Sequence, residues 1–361
     1  MVHQRNFHRD GAMTGHARHD PGEIRGLAGP RARKSVSLAL QGGGAHGAFT
    51  WGVLDALLED GRLAVEAITG ASAGAMNAVV MVEGWLGGGI DGARSHLETF
   101  WRRVSIDGYL SPAQRGLLGL LLGFWRDLAR TDVIAQRFSP SELNPLNINP
   151  LRDAIAALID FERVRACTDV EVFTSATNVW TGKVAIFKTH ELTADHLMAS
   201  ACLPTLFQAV EIDGVPYWDG GYMGNPALFP LYETMADDIV LVQINPLERR
   251  QTPRTMREIH NRLNEITFNG TLLRELRAVA FVQRLIEEGK LSPDEYKNVH
   301  LHRIDASGVL DDYEGSSKGH AEWDFFVQLR DAGRRTARSW LAENYEAIGE
   351  HGTLDLQGTL P

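Results

Sequence analysis

The chain has 361 residues, room for one large domain with an appendage or for two, and its 44% hydrophobic and 23% charged content is that of an ordinary globular protein. A formal net charge of −10 argues against general nucleic-acid affinity, because phosphate binding needs clustered Lys and Arg. The charge is uneven: residues 1–34 hold seven Arg and Lys against three acids, so the rest is near −14 and only the arm could assist contact with anionic lipid.

The chain opens on a Gly-, Arg- and His-rich stretch, residues 1–34, without aliphatic periodicity, which reads as a disordered basic tail. Its histidines (His3, His8, His16, His19) lack ordered carboxylate or cysteine partners and read as solvated side chains rather than a metal site. The arm has no apolar stretch of the ~7–15 residues that a secretory signal requires. The longest apolar run, Leu117–Trp125, is far short of the ~20 residues that span a bilayer, so the expected compartment is the cytoplasm, with at most peripheral, transient membrane contact. Two cysteines, Cys167 and Cys202, are too few for a disulfide framework and read as reduced, buried residues.

From Ser35 strand-like and helix-like segments alternate. "SVSLAL" is a buried-strand pattern, followed by a glycine turn and the helical "AFTWGVLDALLED"; "VEAIT" is a second strand, followed by "GASAGAMNAVVMVEGWL", a second glycine turn that opens a helix. "DVEVFTSATN", "KVAIFKT" and "DDIVLVQIN" read as further strands. The pattern predicts an α/β fold, with residues 35–250 built around a mainly parallel sheet. Residues 251–361 read as a mostly helical extension packed on that domain, with one further strand at "VHLHRID" and a core stripe at Leu272, Leu276, Val279 and Val282. "RGLLGLLLGFWRDL" (115–128) reads as a buried helix, with an interfacial lid as the alternative.

Motif matching alone misleads in this chain. G-x-G-x-x-G occurs at Gly42–Gly47 and again at Gly87–Gly92; G-x-S-x-G occurs at Gly70–Gly74 and again at Gly315–Gly319. Only the first copy of each follows a strand and opens a helix. The second glycine run reads as a helix-ending loop. Ser72 in "AITGASAGAM" sits where a strand turns into a helix, and small residues at Gly70 and Gly74 are needed because the two backbones close on each other there. The helix N-terminus directs free N–H groups to the same point.

A serine hydroxyl needs a base. Asp-Gly occurs six times and usually marks a surface turn, but Asp219-Gly220-Gly221 is the sole Asp-Gly-Gly. A dinucleotide site would want an acid at the end of the second strand, where this chain has Gly70-Ala71-Ser72; Glu59 and Asp60 precede that strand. Both glycine turns lie one βαβ unit apart and so at one sheet edge. The anion near Gly42–Ala45 is therefore better explained as the oxyanion of an acyl intermediate than as a pyrophosphate.

"QGGGAHGAFTWG", "GASAGA" and "YWDGG", in this order, resemble the patatin-like lipid acyl hydrolases, and "MASACLPTLFQAVEIDGVPYWDGGYMGNPAL" extends the resemblance over Ser35 to Pro246. The resemblance implies a three-layer α/β/α patatin-like fold and a carboxylic ester hydrolase of the phospholipase A type acting through an acyl-enzyme. It implies Ser72 as nucleophile and Asp219 as proton acceptor in a dyad without histidine. Gly43 and Gly44 are the implied oxyanion donors, flanked by Gly42, with Gly47, Gly70, Gly74, Gly220 and Gly221 supporting the motifs. No metal or cofactor is implied, and the expected partner is a lipid or acyl-ester substrate rather than nucleic acid. The chain departs from the family pattern at His46, where many members carry Arg or Lys; His46 reads as a loop-packing residue. Alternatives are a Ser-Asp-His esterase or thioesterase using His260, His300, His302 or His320, and a lipid- or polyester-surface binding protein of weak activity.

Overall fold

The computed structural model describes residues 26–106, 140–144, 147, 149–250, 252–310, 317–318 and 320–359. The four histidines of the arm, the apolar segment 115–128 and most of the second G-x-S-x-G lie outside the described residues.

Eight strands form one sheet: β1 (Lys34–Leu40), β2 (Leu63–Gly70), β3 (Glu171–Asn178), β4 (Val184–Lys188), β5 (Val210–Ile212), β6 (Val215–Asp219), β7 (Asp238–Gln243) and β8 (His300–Asp305). They lie in the order β5-β6-β3-β2-β1-β7-β8, with β4 also paired to β3. The pairings from β3 through β2, β1 and β7 to β8 are all parallel, while β4 and β6 run antiparallel to β3 and β5 runs antiparallel to β6. The β5–β6 hairpin turns at Asp213-Gly214, both at positive φ (51° and 77°), the conformation Asp-Gly favours in a two-residue turn.

The central strands are buried on both faces, which is why they read as near-continuous apolar runs. Along β1, Leu38 and Leu40 belong to one core cluster and Ala39 to the other; along β7, Val240 and Val242 oppose Ile239 and Leu241 in the same way. Helices cover both faces. On one lie α1 (Gly47–Asp60) and α2 (Ala73–Val104), which bends at Gly88 and Gly89, where the backbone leaves helical angles. Two short helices follow, α3 (Pro150–Ala156) and α4 (Phe161–Arg165), then α5 (Ala194–Ser200). On the other face α6 (Met256–Glu287) lays Leu272, Leu276 and Val279 against β1 and β7 side chains; its start is closed by a Thr255–Glu258 capping box. The last long helix, α7 (Trp323–Asn344), packs along α1. Helix α1 is buried from Gly47 to Leu58 because it lies between the sheet and α7. Contact is close enough that a Cβ on Gly52 would fall 2.8 Å from the Arg330 Cα.

The fold is thus an α/β sandwich with a mixed, mainly parallel sheet, and β8 and the C-terminal helices are built into its layers. Within the stretch 1–34 expected to be a disordered tail, the described residues 26–34 are ordered. Leu27 is buried and exchanges two backbone hydrogen bonds with Val65 (2.7 and 3.1 Å), which pins this point of the chain to the sheet. A single aliphatic residue among Arg and Gly gives no periodicity by which to recognise such an anchor. Cys202 is buried and Cys167 half-buried; neither forms a disulfide.

Candidate active site

The parallel pairing of β1 with β2 sets Leu40 beside Gly70, so the chain leaves both strands at the same sheet edge. After β2 it turns sharply into α2 at Ser72, a non-glycine residue held at φ 51°, ψ −123°. The turn is tight: a Cβ on Gly70 would lie 2.7 Å from the Ala75 nitrogen, and one on Gly74 2.8 Å from the Gln41 carbonyl oxygen. Gly47 meets Ala73 in the same way, 2.6 Å from that side chain for an added Cβ. The Ser72 N–H donates to Ser200 Oγ at 2.9 Å, which fixes the strained peptide to the end of α5. Strain of this kind survives only where neighbours enforce it.

Asp219 ends β6 and is 2% exposed. Its N–H donates to the Cys202 carbonyl at 2.7 Å, and its own carbonyl accepts from Thr177 Oγ1 at 2.8 Å. The carboxylate accepts the Gly221 N–H at 2.7 Å, and the Ser72 side chain is near enough to favour its ionised form. The fold thus brings the two residues singled out in distant motifs to one place. Burial pushes the Asp219 carboxyl up to about 7, against the opposing pull of the Gly221 N–H, the Ser72 hydroxyl and the Lys318 charge. Glycine is required on both sides of this contact: a Cβ on Gly220 would lie 2.6 Å from Ser175 Oγ, and one on Gly221 2.9 Å from Asp219 Oδ1.

The Gly42–Gly44 loop passes directly over the elbow. A Cβ on Gly42 would stand 2.8 Å from the Ser72 Cβ and 2.7 Å from the Ala71 oxygen. Gly42→Ala is accordingly expected to displace the serine and lower kcat/KM by at least ~100-fold with the fold retained, measured by ester hydrolysis beside a thermal melt. The three glycines are not equivalent, and the oxyanion set expected from sequence is corrected at Gly42. Its N–H is committed to Asn225 Oδ1 at 2.6 Å. The amides of Gly43 and Gly44, at the start of the short 3-10 turn Gly44–His46, make no hydrogen bond among the described residues.

Four buried amide side chains hold this loop, and sequence reasoning missed them all. Gln41 accepts through Oε1 from the backbone N–H groups of Ile244 and Asn245 (2.9 Å each) and donates to Asn269 Oδ1 at 3.1 Å. Asn245 donates through Nδ2 to the Gly42 carbonyl at 2.8 Å, and Asn269 donates to the Pro246 carbonyl at 3.0 Å. The available signal was an amide residue placed immediately after a buried strand, Gln41 after β1 and Asn245 beyond β7. Removing one member strands the others, so Asn225→Ala is expected to cost ~1–3 kcal/mol in urea unfolding by leaving the Gly42 N–H buried without an acceptor.

A family model for patatin-like phospholipases matches residues 38–235, more than half of the chain. This chain belongs to that family. Family membership suggests a lipid acyl hydrolase. Among solved structures the chain is similar to VipD from Legionella pneumophila, at 14% identity and a TM-score of 0.40, covering 87% of this chain and 68% of VipD. It is also similar to the type III effector ExoU, at 13% identity and TM-score 0.38, covering 87% of this chain and 54% of that one. Against the ExoU–SpcU complex of Pseudomonas aeruginosa the values are 14% and 0.36, covering 95% and 61%. The chain thus spans less than two thirds of ExoU. No curated protein matches the sequence significantly.

His46, where many patatin-like members carry a cation, is 3% exposed and bonds through Nε2 to Ser317 Oγ at 2.7 Å. Burial holds it well below the ordinary imidazole range, and the charges of Lys318, Arg249 and His320 act in the same direction, so it is neutral at pH 7. Ser317 and Lys318 come from the second G-x-S-x-G and lie against the oxyanion loop: a Cβ on Gly44 would stand 2.6 Å from the Lys318 oxygen. Of the candidate triad histidines, His320 lies near His46, while His300 and His302 lie at the other end of the sheet. His302 is bound between Asp238 (2.8 Å) and Thr353 (3.0 Å), and His300 sits 3.6 Å from the same Asp238. Asp238 opens β7, whereas Ser72 lies beyond the opposite ends of β1 and β2. Although burial opposes it, hydrogen bonds from His300, His302 and the Gly349 N–H hold Asp238 down at about 2. His260 is exposed on α6, and His320 stacks edge-on with Phe325. Among the described residues no three His, Cys, Asp or Glu side chains cluster as a metal site would need, and no helix is long and apolar enough to cross a membrane.

Proposed function

We propose that this protein is a serine lipid acyl hydrolase of the phospholipase A or carboxylester type, with Ser72 as nucleophile and Asp219 as its proton acceptor. The observation that carries this reading is the strained Ser72 elbow under the Gly42–Gly44 loop, with the buried Asp219 carboxyl, raised by burial to about 7, near enough for the Ser72 side chain to act on it. An aspartate at its ordinary value is a poor base for a hydroxyl; a desolvated one near neutrality is far better matched to the task. Ser72 Oγ attacks the ester carbonyl carbon as its proton passes to Asp219. The Gly43 and Gly44 N–H groups hold the resulting oxyanion, each worth ~3–4 kcal/mol where such donors have been removed. Collapse breaks the ester C–O bond, and Asp219 returns the proton to the departing alcohol. Water then attacks the acyl-serine, again losing its proton to Asp219; the fatty acid leaves and Ser72 recovers its proton. No histidine is needed in this scheme.

The substrate is an acyl ester reached by transient contact with a lipid surface. A panel of phosphatidylcholine vesicles, triacylglycerol emulsion, acyl thioester and polyester, run on wild type, Ser72→Ala and Asp219→Asn side by side, tests the class. Hydrolysis of a lipid ester by wild type and its loss in both variants is the expected result. Full turnover by either variant, or no turnover of any ester by wild type, contradicts it.

A further inference from the structure

One charge beside this site, carried by a half-buried lysine, has no part in the reaction as written. The Lys318 ammonium donates to Asn245 Oδ1 at 2.6 Å and lies 5.7 Å from the centre of the Phe268 ring. Asn245 passes the contact on to the Gly42 carbonyl. Phe268 lies against the aspartate turn, its Cε1 only 3.2 Å from a Cβ built on Gly221. The lysine backbone, meanwhile, covers Gly44. The cation therefore lies between the oxyanion loop on one side and the carboxylate turn on the other. The charged and titratable groups facing it are Asp219, Glu265, Arg249 and His46. Glu265 is already paired with Arg249 and Arg262, and His46 is neutral.

An ammonium with a neutral amide as its hydrogen-bond acceptor is an expensive group to bury, so folding alone gives it no reason to be there. A positive charge in a low-dielectric site does, however, favour every negative charge that forms nearby. Taking Ser72 as the nucleophile, we infer that Lys318 is a positioning residue of this site. Its ammonium steadies the Gly42–Gly44 loop through Asn245 and supplies the positive potential in which Asp219 ionises and the ester oxygen becomes an oxyanion. The loop cation is thus delivered by the C-terminal part of the chain rather than by the loop itself, whose own His46 is uncharged.

The pH dependence follows. Burial lowers Lys318 to about 8, so the charge fades as pH passes that value, while Asp219 loses its proton near 7. Cys202 and Tyr222, beside the carboxylate, are pushed up to about 12 by burial and do not titrate in this interval. Removing the cation destabilises the carboxylate, so the acidic limb of the rate profile must move to higher pH and the alkaline limb must vanish.

The test measures kcat and KM against pH, with thermal melts, for wild type, Lys318→Met, Ser72→Ala, and Lys318→Cys before and after aminoethylation with 2-bromoethylamine in denaturant and refolding, complete modification at position 318 being verified by peptide mass and wild type being treated alongside. Lys318→Met is expected to lower kcat by about 10- to 100-fold with KM changed less than about threefold, short of the ~10²–10³ lost with a direct donor. The acidic limb should rise by at least about half a pH unit, and melting should not fall. Aminoethylation of Lys318→Cys should restore most of the rate, which distinguishes a required charge from a required shape. Unchanged kcat and unchanged limbs in Lys318→Met overturn the inference, and so does a folded Lys318→Cys that aminoethylation does not rescue. If Lys318→Met does not fold, the cysteine pair decides. Full activity in Ser72→Ala would overturn the nucleophile and this inference together; loss there with no Lys318 effect overturns the inference alone.

Discussion

Ser72→Ala is expected to lose ester hydrolysis by at least ~10⁴-fold in kcat, the scale seen when a nucleophilic serine is removed from a hydrolase, while folding normally. Nothing in the fold depends on the hydroxyl: the residue is held by its backbone N–H to Ser200 and by the α2 hydrogen bond from Met76. The backbone is a different matter. At φ 51°, ψ −123° a side chain is strained by ~1–3 kcal/mol, and glycine would relieve it at a loss of ~0.5–1 kcal/mol in unfolded-chain entropy. Ser72→Gly should therefore be equally inactive and melt higher than wild type. A Ser72→Gly protein that melts lower would mean that the elbow is not strained.

Asp219→Asn is the second large effect, and it has two opposite parts. Activity should fall by ~10²–10⁴-fold, the contribution of a positioned general base. Stability should rise. The folded carboxyl is raised to about 7 from an unfolded value of 3.8, so below pH 4 both states are protonated and the group is neutral to folding. As pH rises through the interval the unfolded chain ionises first, and stability falls until the folded carboxyl also ionises near 7. At 1.36 kcal/mol per pKa unit the penalty above pH 7 is on the order of 4 kcal/mol. Asparagine can still accept the Gly221 N–H and carries no charge. The variant should out-melt wild type at pH 8 and match it near pH 4, and the wild-type rate should climb with pH through about 7. A destabilised Asp219→Asn at pH 8 would mean that Lys318 and the backbone donors outweigh the cost of burying the carboxylate.

The three motifs could be read from sequence because each encodes a backbone constraint. Gly70 and Gly74 leave room for a strand and a helix to close on each other, and Gly220 and Gly221 let a chain fold back on its own carboxylate. Residue spacing says where a turn must be tight. It does not say which distant side chains fill the space around it. Gln41, Asn225, Asn245 and Asn269 are ordinary polar residues until the strand order β2-β1-β7 brings their segments to one edge. Lys318 was hidden more thoroughly, inside a second G-x-S-x-G that has no strand pattern before it and so drew no attention to its place on the loop. The same limit applies to Gly42. Its position in the glycine run made it look like an oxyanion donor, and only Asn225, brought in from beyond the Asp-Gly-Gly turn, removes that amide from service.

The most direct measurement is fluorophosphonate labelling of the folded protein, followed by intact mass and peptide mapping, at pH values on both sides of 7. One adduct per chain is expected, on the peptide that contains Ser72, forming faster as Asp219 loses its proton and absent from Ser72→Ala. An adduct on Ser317 or Ser200, or stoichiometric labelling of Ser72→Ala, would contradict the assignment of Ser72 as nucleophile.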